Sequence, residues 1–204
     1  MNFKRIVADS YDAIADRLAG ARGDGSTVAP WLRRLSELLP AEARVLDLGC
    51  GAGVPHTATL AQRFQVIGVD ISSRQLALAS NSIPNAQFVL GDMASIDFRP
   101  ASFDAVTAIY SIIHVPRAQQ PALLTAVRRW LKPSGFALLV LGANDTPAGY
   151  EADWFGAPML WSHFNAEQSL ALLLDARLQI LLHDLVTDPL DPRGRHLFAL
   201  CRAS

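Results

Sequence analysis

The residues of this 204-residue chain best suited to chemistry gather in one stretch, VLDLGCGAGV at 45 to 54, where an apolar run meets Gly49, Gly51 and Gly53 and then a helical pattern. Glycines at such a junction adopt backbone angles closed to other residues and let a ligand approach bare N–H groups, as a nucleotide-type cofactor requires. Asp70 closes the next apolar run, QVIGVD at 65 to 70, where a carboxylate accepts both hydroxyls of an adenosine ribose. The dinucleotide fingerprint wants its third glycine five positions after the first, and the two-and-two spacing here matches it imperfectly. Asp70 suits either a dinucleotide or another adenosine-bearing cofactor, so it does not discriminate between them.

Histidine is the side-chain type best placed to take a proton near neutral pH. His114 follows the fourth apolar run, FDAVTAIY at 103 to 110, and is the leading base candidate; a histidine there could equally orient a loop. His163 in LWSHF comes second, His56 is expected on a helix surface or pocket wall, and His183 and His196 lie in terminal strands with no argument for a site. Trp154, Phe155, Met159, Trp161 and Phe164 offer a wall for an aromatic or lipid-like molecule, or glue for the segment that carries them. Glu151 and Asp153 are candidates for a positive group on such a molecule. With Asp145 they form only a weak carboxylate set, and no metal is expected.

The elements that position these groups alternate. RVLDLG (44 to 49), QVIGVD (65 to 70), AQFVLGD (86 to 92), FDAVTAIY (103 to 110) and FALLVLG (136 to 142) read as buried parallel strands, nearly all apolar because helices cover both faces. Helical patterns intervene at Val54 to Arg63, after a Ser72 or Ser73 cap, and from Pro121 to the Lys132-Pro133-Ser134-Gly135 stop. Two more precede the sheet, around Ala8 to Ala19 and Val28 to Leu39, joined by a flexible GARGDGS linker. Past Gly142 a polar, aromatic stretch too long for a simple loop leads to an Asn165-capped helix and two strand-like runs, LQILLHDLV and RHLFALCR, around DPLDPRG. Closely linked strands cannot both be parallel to the rest. The expected fold is α/β, doubly wound and Rossmann-like: a mostly parallel seven-stranded sheet with one antiparallel edge strand and helices on both faces. Residues 1–204 form one domain in this reading, with 1–40 as a helical lid and 143–165 as a substrate-side insertion.

DLGCGAG at 47 to 53, VIGVDIS at 66 to 72, GDM at 91 to 93 and FDAVTAIYSIIHV at 103 to 115 resemble, in order and spacing, the successive motifs of class I S-adenosylmethionine-dependent methyltransferases of the small-molecule type. The resemblance implies that Gly49 and Gly51 meet the methionine end of the cofactor, that Asp47 shapes the loop and that Cys50 belongs to it. It further implies that Asp70 binds the ribose, Ile71 packs on the adenine, and Asp92 accepts from the adenine amino group beside Met93. Ile109 falls near the amino acid part, and Tyr11 matches an N-terminal aromatic that closes over the cofactor, although an amphipathic helix also buries such a ring for packing alone. The implied reaction moves a methyl group from S-adenosylmethionine to oxygen, nitrogen or, less favoured, carbon of a small molecule, leaving S-adenosylhomocysteine. Rival readings are an NAD-dependent oxidoreductase, a non-catalytic S-adenosylmethionine-binding module and a small-RNA modifier.

Composition narrows these. Eighteen Lys and Arg against nineteen Asp and Glu give a net charge of -1, without the basic excess of a phosphate-gripping protein, so no nucleic-acid partner is expected. Half the residues are hydrophobic and 18% charged, which excludes disorder. IYSI at the end of the fourth strand lacks the N/D-P-P-Y/F segment of exocyclic base methylation, and Cys50 and Cys201 leave no evident nucleophile for pyrimidine carbon methylation. Two cysteines are too few for a disulfide framework, and the charged N-terminus lacks a signal-peptide core, so a cytoplasmic, membrane-free monomer or homodimer is expected.

Overall fold

The computed structural model describes residues 3–21, 25–191 and 194–204, the side chains of 19–21 excepted. Part of the GARGDGS linker (22–24) and of the DPLDPRG turn (192–193) lies outside the described residues. Helices α1 (Phe3–Ala21) and α2 (Ala29–Leu38) precede β1 (Arg44–Leu48), α3 (His56–Ala61), β2 (Gln65–Asp70), α4 (Ser73–Ser82), β3 (Gln87–Leu90) and β4 (Phe103–Ala108). Then follow α5 (Gln120–Trp130), β5 (Leu131–Gly142), β6 (Thr146–Trp154), β7 (Ala157–His163), α6 (Ala166–Asp175), β8 (Leu178–Thr187) and β9 (Arg195–Ala203). Ser72 caps α4 by accepting from the Gln75 N–H, and Asn165 and Gln168 close a capping box on α6.

Seven strands form one sheet in the order β3-β2-β1-β4-β5-β9-β8. The first five run parallel, and the order reverses beside β1, so a crevice opens beyond the carboxyl ends of β1 and β4. Alternate strand residues feed opposite faces. Leu46, Leu48, Val106 and Leu139 pack with Leu124 and Val127 of α5 and Leu173 of α6. Val45, Ala105, Leu138 and Val140 pack with Leu32 and Leu35 of α2 and Leu60 of α3.

One expectation needs correction. The antiparallel strand is not at the edge: it is β9, hydrogen-bonded on one side to β5 and on the other to β8, which forms the edge. The apolar run HLFALC is buried from His196 to Cys201 and belongs in the interior, whereas β8 leaves Leu181, Leu182 and Leu185 exposed. Within 143–165 the chain forms a hairpin of β6 and β7. Its two-residue turn, Phe155 (φ 54°) and Gly156 (φ 90°), has the positive φ pair that matches strand twist. Against this hairpin α1 packs Val7, Ile14 and Leu18 on Ala157 and Met159, which are wholly or nearly buried. The Ser10 hydroxyl donates to the Pro158 carbonyl across the same seam.

Candidate active site

The glycine loop leaves β1 tied to its neighbour, since the N–H groups of Gly49 and Cys50 both donate to the Val69 carbonyl, at 2.7 and 3.1 Å. Gly49 has φ 70°, and a Cβ there would stand 2.3 Å from the Ser111 Cβ, so only glycine lets the loops after β1 and β4 touch. The Ser111 hydroxyl fixes that contact by donating to the Leu48 carbonyl at 2.7 Å. Beneath the loop, Asp47 is 3% exposed and accepts from the hydroxyls of Thr57 (2.6 Å) and Thr107 (2.8 Å). This buried carboxylate joins β1, β4 and α3 and is not in the cleft wall. Cys50 is also buried, its sulfur close under Gly68.

Asp70 does face the cleft. One carboxylate oxygen accepts from the Gly51 N–H at 2.7 Å and the other from the Ser72 N–H at 2.9 Å. The carboxylate that braces the loop also lines the cleft, where an acceptor can meet a ligand. Gly49, Gly51, Asp70, Ile71, Gly91, Asp92 and Met93 line one wall. The Asp92 carboxylate accepts from the Ala94 N–H (2.9 Å) and the Ser95 hydroxyl (3.1 Å) and forms an ion pair with Lys4 of α1. Lys4, Val7 and Tyr11 supply the opposite wall and narrow the cleft to about 60 Å³. The groups on this wall fit an adenosine-bearing cofactor: the Asp70 carboxylate, the glycine backbone of Gly49 and Gly51 that permits close approach, and apolar Ile71 and Met93.

His114 sits beyond β4 at the end of a short helical turn, with Nδ1 2.8 Å from the Leu160 carbonyl and Nε2 2.8 Å from the Tyr11 hydroxyl. A carbonyl only accepts, so Nδ1 carries hydrogen; in the neutral ring the Nε2 lone pair receives the Tyr11 O–H. Tyr11 meets His114 edge-on, with ring centroids 5.3 Å apart, and Trp154 at 5.8 Å. Asp12, one residue on, accepts from the Ser72 hydroxyl (2.5 Å) and the Arg74 N–H (3.0 Å), pinning α1 to the start of α4.

On the far side of Tyr11, Tyr110 and His114 lies a chamber of about 800 Å³, and these three residues line both spaces. Its walls include Ile109, the hairpin aromatics Trp154, Phe155 and Trp161, and His56, Glu151 and His163. The expected aromatic set therefore divides. Met159 is buried against α1, and Phe164 lies under the Arg117 guanidinium, 5.2 Å from its ring centre. His163 Nδ1 is 2.6 Å from the Asn144 carbonyl, and burial holds this histidine's pKa below the ordinary value. His183 lies on the exposed edge strand. Burial pushes the Cys201 thiol up to about 12.

Sequence reasoning passed over Lys4, Tyr110, Ser111, Asp188 and His196. Nothing marks a helix-start lysine as the partner of a carboxylate 88 residues away. His196 reaches the chamber because β9 runs antiparallel and begins at the rim where β5 ends, opposite Gly142. Asp188 Oδ2 lies 2.8 Å from His196 Nε2. Burial opposes its ionisation, but the hydrogen bonds from His196 and the Leu190 N–H hold the carboxyl below its usual range. Among the described residues no cluster of three or more His, Cys, Asp or Glu could hold a metal ion, and no helix is long and apolar enough to cross a membrane.

Residues 45–135 match a methyltransferase domain family. The chain is 32% identical over 174 residues to a 27-O-demethylrifamycin SV methyltransferase of Amycolatopsis mediterranei, covering 72% of this chain and 62% of that protein. It is 31% identical over 166 residues to a ubiquinone biosynthesis O-methyltransferase of Xanthomonas axonopodis pv. citri, covering 76% and 68%. The chain thus spans less than two thirds of the first of these relatives. In fold it is similar to an S-adenosylmethionine-bound amino pentose methyltransferase of Micromonospora echinaspora, with TM-score 0.69, 23% identity, and 94% and 97% of the two chains covered. The motifs around Gly49, Asp70 and Asp92, the seven-stranded sheet that sets them at one crevice and these likenesses converge: the chain belongs to the class I S-adenosylmethionine-dependent methyltransferases.

Proposed function

We propose that this protein transfers a methyl group from S-adenosylmethionine to an oxygen or nitrogen of a small aromatic molecule, yielding S-adenosylhomocysteine. One observation carries this reading: the glycine-loop cleft and the aromatic chamber meet at Tyr11, Tyr110 and His114. Gly49, Gly51, Asp70, Ile71, Asp92 and Met93 hold the cofactor, and α1 swings aside to admit it, releasing Lys4 from Asp92. When bound, S-adenosylmethionine supplies an electrophilic methyl on a sulfonium, so the protein mainly supplies proximity and orientation. His114 Nε2 is the available base for an acceptor that must lose a proton, once Tyr11 yields the hydrogen bond it now makes. The hairpin and α1 together keep water from the neck. The relatives named for O-methylation support oxygen as the favoured atom.

The test uses S-adenosylmethionine with a labelled methyl group and a panel of hydroxy- and amino-aromatic compounds. Label transfer and S-adenosylhomocysteine formation are expected with wild-type protein. In His114→Ala, transfer is expected to fall by roughly 10²–10⁴-fold while cofactor affinity is kept. Binding without turnover of any acceptor would favour a non-catalytic binding module, and an unaltered rate in the variant would remove His114 from the chemistry.

A further inference from the structure

We infer that Tyr110 and His196 form a recognition pair for a ring hydroxyl on the molecule that enters the chamber, with Asp188 as the residue that positions His196. This rests on the chamber being the acceptor site. Among the described residues, the buried side-chain groups without a hydrogen-bond partner are Gln75 Nε2, Tyr110 Oη, Arg128 Nε and His196 Nδ1. Tyr110 and His196 touch, with rings edge-on and centroids 5.0 Å apart, and both line the chamber. Buried polar groups are normally paired, so two adjacent orphans on a cavity wall point to a ligand that completes them.

The chemistry of the pair follows from its partners. The Asp188 carboxylate accepts from His196 Nε2, which leaves a lone pair on Nδ1 of the neutral ring. Tyr110 offers an O–H to donate, because burial, and then the charge of Asp188, raise its pKa and keep the phenol protonated. One donor beside one acceptor is completed by a group that accepts once and donates once. A hydroxyl does both; a carboxylate would oppose the Nδ1 lone pair, and a carbonyl would leave it unmet. Trp154, Phe155 and Trp161 on the other walls favour a flat ring as the carrier of that hydroxyl.

The backbone is bent to place these groups. Tyr110 has φ 53°, a left-handed conformation rare for a bulky residue and of the kind that persists at functional sites. Opposite His196, Gly142 carries no side chain, and a Cβ there would stand 2.1 Å from His163 Nδ1. His163 therefore packs over the end of β5 and completes the same corner of the chamber.

The probes are 2-naphthol and 2-methoxynaphthalene, titrated by tryptophan fluorescence into full-length protein saturated with S-adenosylhomocysteine. Wild type is expected to bind 2-naphthol about ten-fold more tightly than its methyl ether, the worth of one good hydrogen bond. Asp188→Asn is expected to bring that ratio close to one without weakening the ether, while Tyr110→Phe, which removes a donor that either oxygen accepts from, is expected to weaken both compounds alike. Asp188→Asn acts by offering an amide N–H to Nε2, which moves the ring hydrogen to Nδ1. Thermal melting checks that each variant folds, and Tyr110→Phe, which deletes only an unpaired hydroxyl, is expected to melt no lower than wild type. A wild-type ratio near one, a ratio unchanged in Asp188→Asn, binding of both compounds unchanged in Tyr110→Phe, or no 2-naphthol binding would each overturn the proposal. If those failures came with normal S-adenosylhomocysteine binding, the methyl-transfer reading would survive; failure to bind S-adenosylhomocysteine would sink both.

Discussion

Replacing Asp70 with alanine perturbs the cleft at a residue that both braces and lines it. Its two oxygens accept the Gly51 and Ser72 N–H groups at 2.7 and 2.9 Å, and the residue is 9% exposed. Hydrogen bonds to a charged group contribute about 1.5–3 kcal/mol each, so two lost bonds at the lower bound cost about 3 kcal/mol of stability. For a chain of this length that lowers Tm by roughly 6–12 °C, at about 2–4 °C per kcal/mol. The same carboxylate is the proposed acceptor for two ribose hydroxyls, whose loss at the same lower bound is again about 3 kcal/mol, or roughly 100-fold in Kd. Isothermal titration with S-adenosylhomocysteine at 25 °C measures the second effect on protein that melting curves show to be folded. An affinity within about three-fold of wild type would refute the ribose role, because less than about 0.7 kcal/mol would then separate the two. Reduced affinity with unchanged Tm would instead show that the bonds to Gly51 and Ser72 do little for the fold.

Lys4→Ala removes the cation paired with Asp92 across the cleft, a pair only 26% and 21% exposed. S-adenosylhomocysteine is expected to bind up to roughly five-fold more tightly, since such pairs contribute about 0–1 kcal/mol; weaker binding in a titration would make Lys4 a ligand group. Acid should destabilise the fold in two stages. Because burial lowers the His163 pKa, the unfolded chain takes up that proton first, and stability declines as pH falls through about 6.5. Because the Asp188 pKa is lowered, its contribution is present above the unfolded value near 3.8 and is lost as pH falls through the lower folded value. Urea midpoints at pH 7, 5 and 3 follow both stages. His163→Gln is expected to flatten only the step from 7 to 5, and an unchanged step would assign it to another group.

How much of this was legible without the fold depends on how local each signal is. The strand-glycine-helix junction at 45 to 54 carries its meaning in adjacent residues, because backbone freedom at Gly49 is a property of that residue and its neighbours. Asp70 and Asp92 follow strands by fixed offsets, and parallel strands in a doubly wound sheet end at one rim, so chain order alone puts them together. The cap at Ser72 and the capping box at Asn165 are equally local. Asp47 shows the limit: its motif position was plain, but its role as a buried strut depends on Thr57 and Thr107, which arrive from other elements.

Adjacent sequence determined which segments become strands and helices, which loop is built from glycine, and which acids stand at strand ends, since each of these follows from torsional freedom, apolar period and capping within a few residues. Tertiary structure decided what no local pattern encodes: that β9 slips between β5 and β8, that the 143–165 segment pairs with itself and docks on α1, and that Lys4 reaches Asp92. The physical reason is that contacts between distant segments depend on which strand edges remain open and which apolar faces remain uncovered once the rest has packed. For that reason His196 carried no signal in the chain, yet it stands beside Tyr110 at the wall of the chamber.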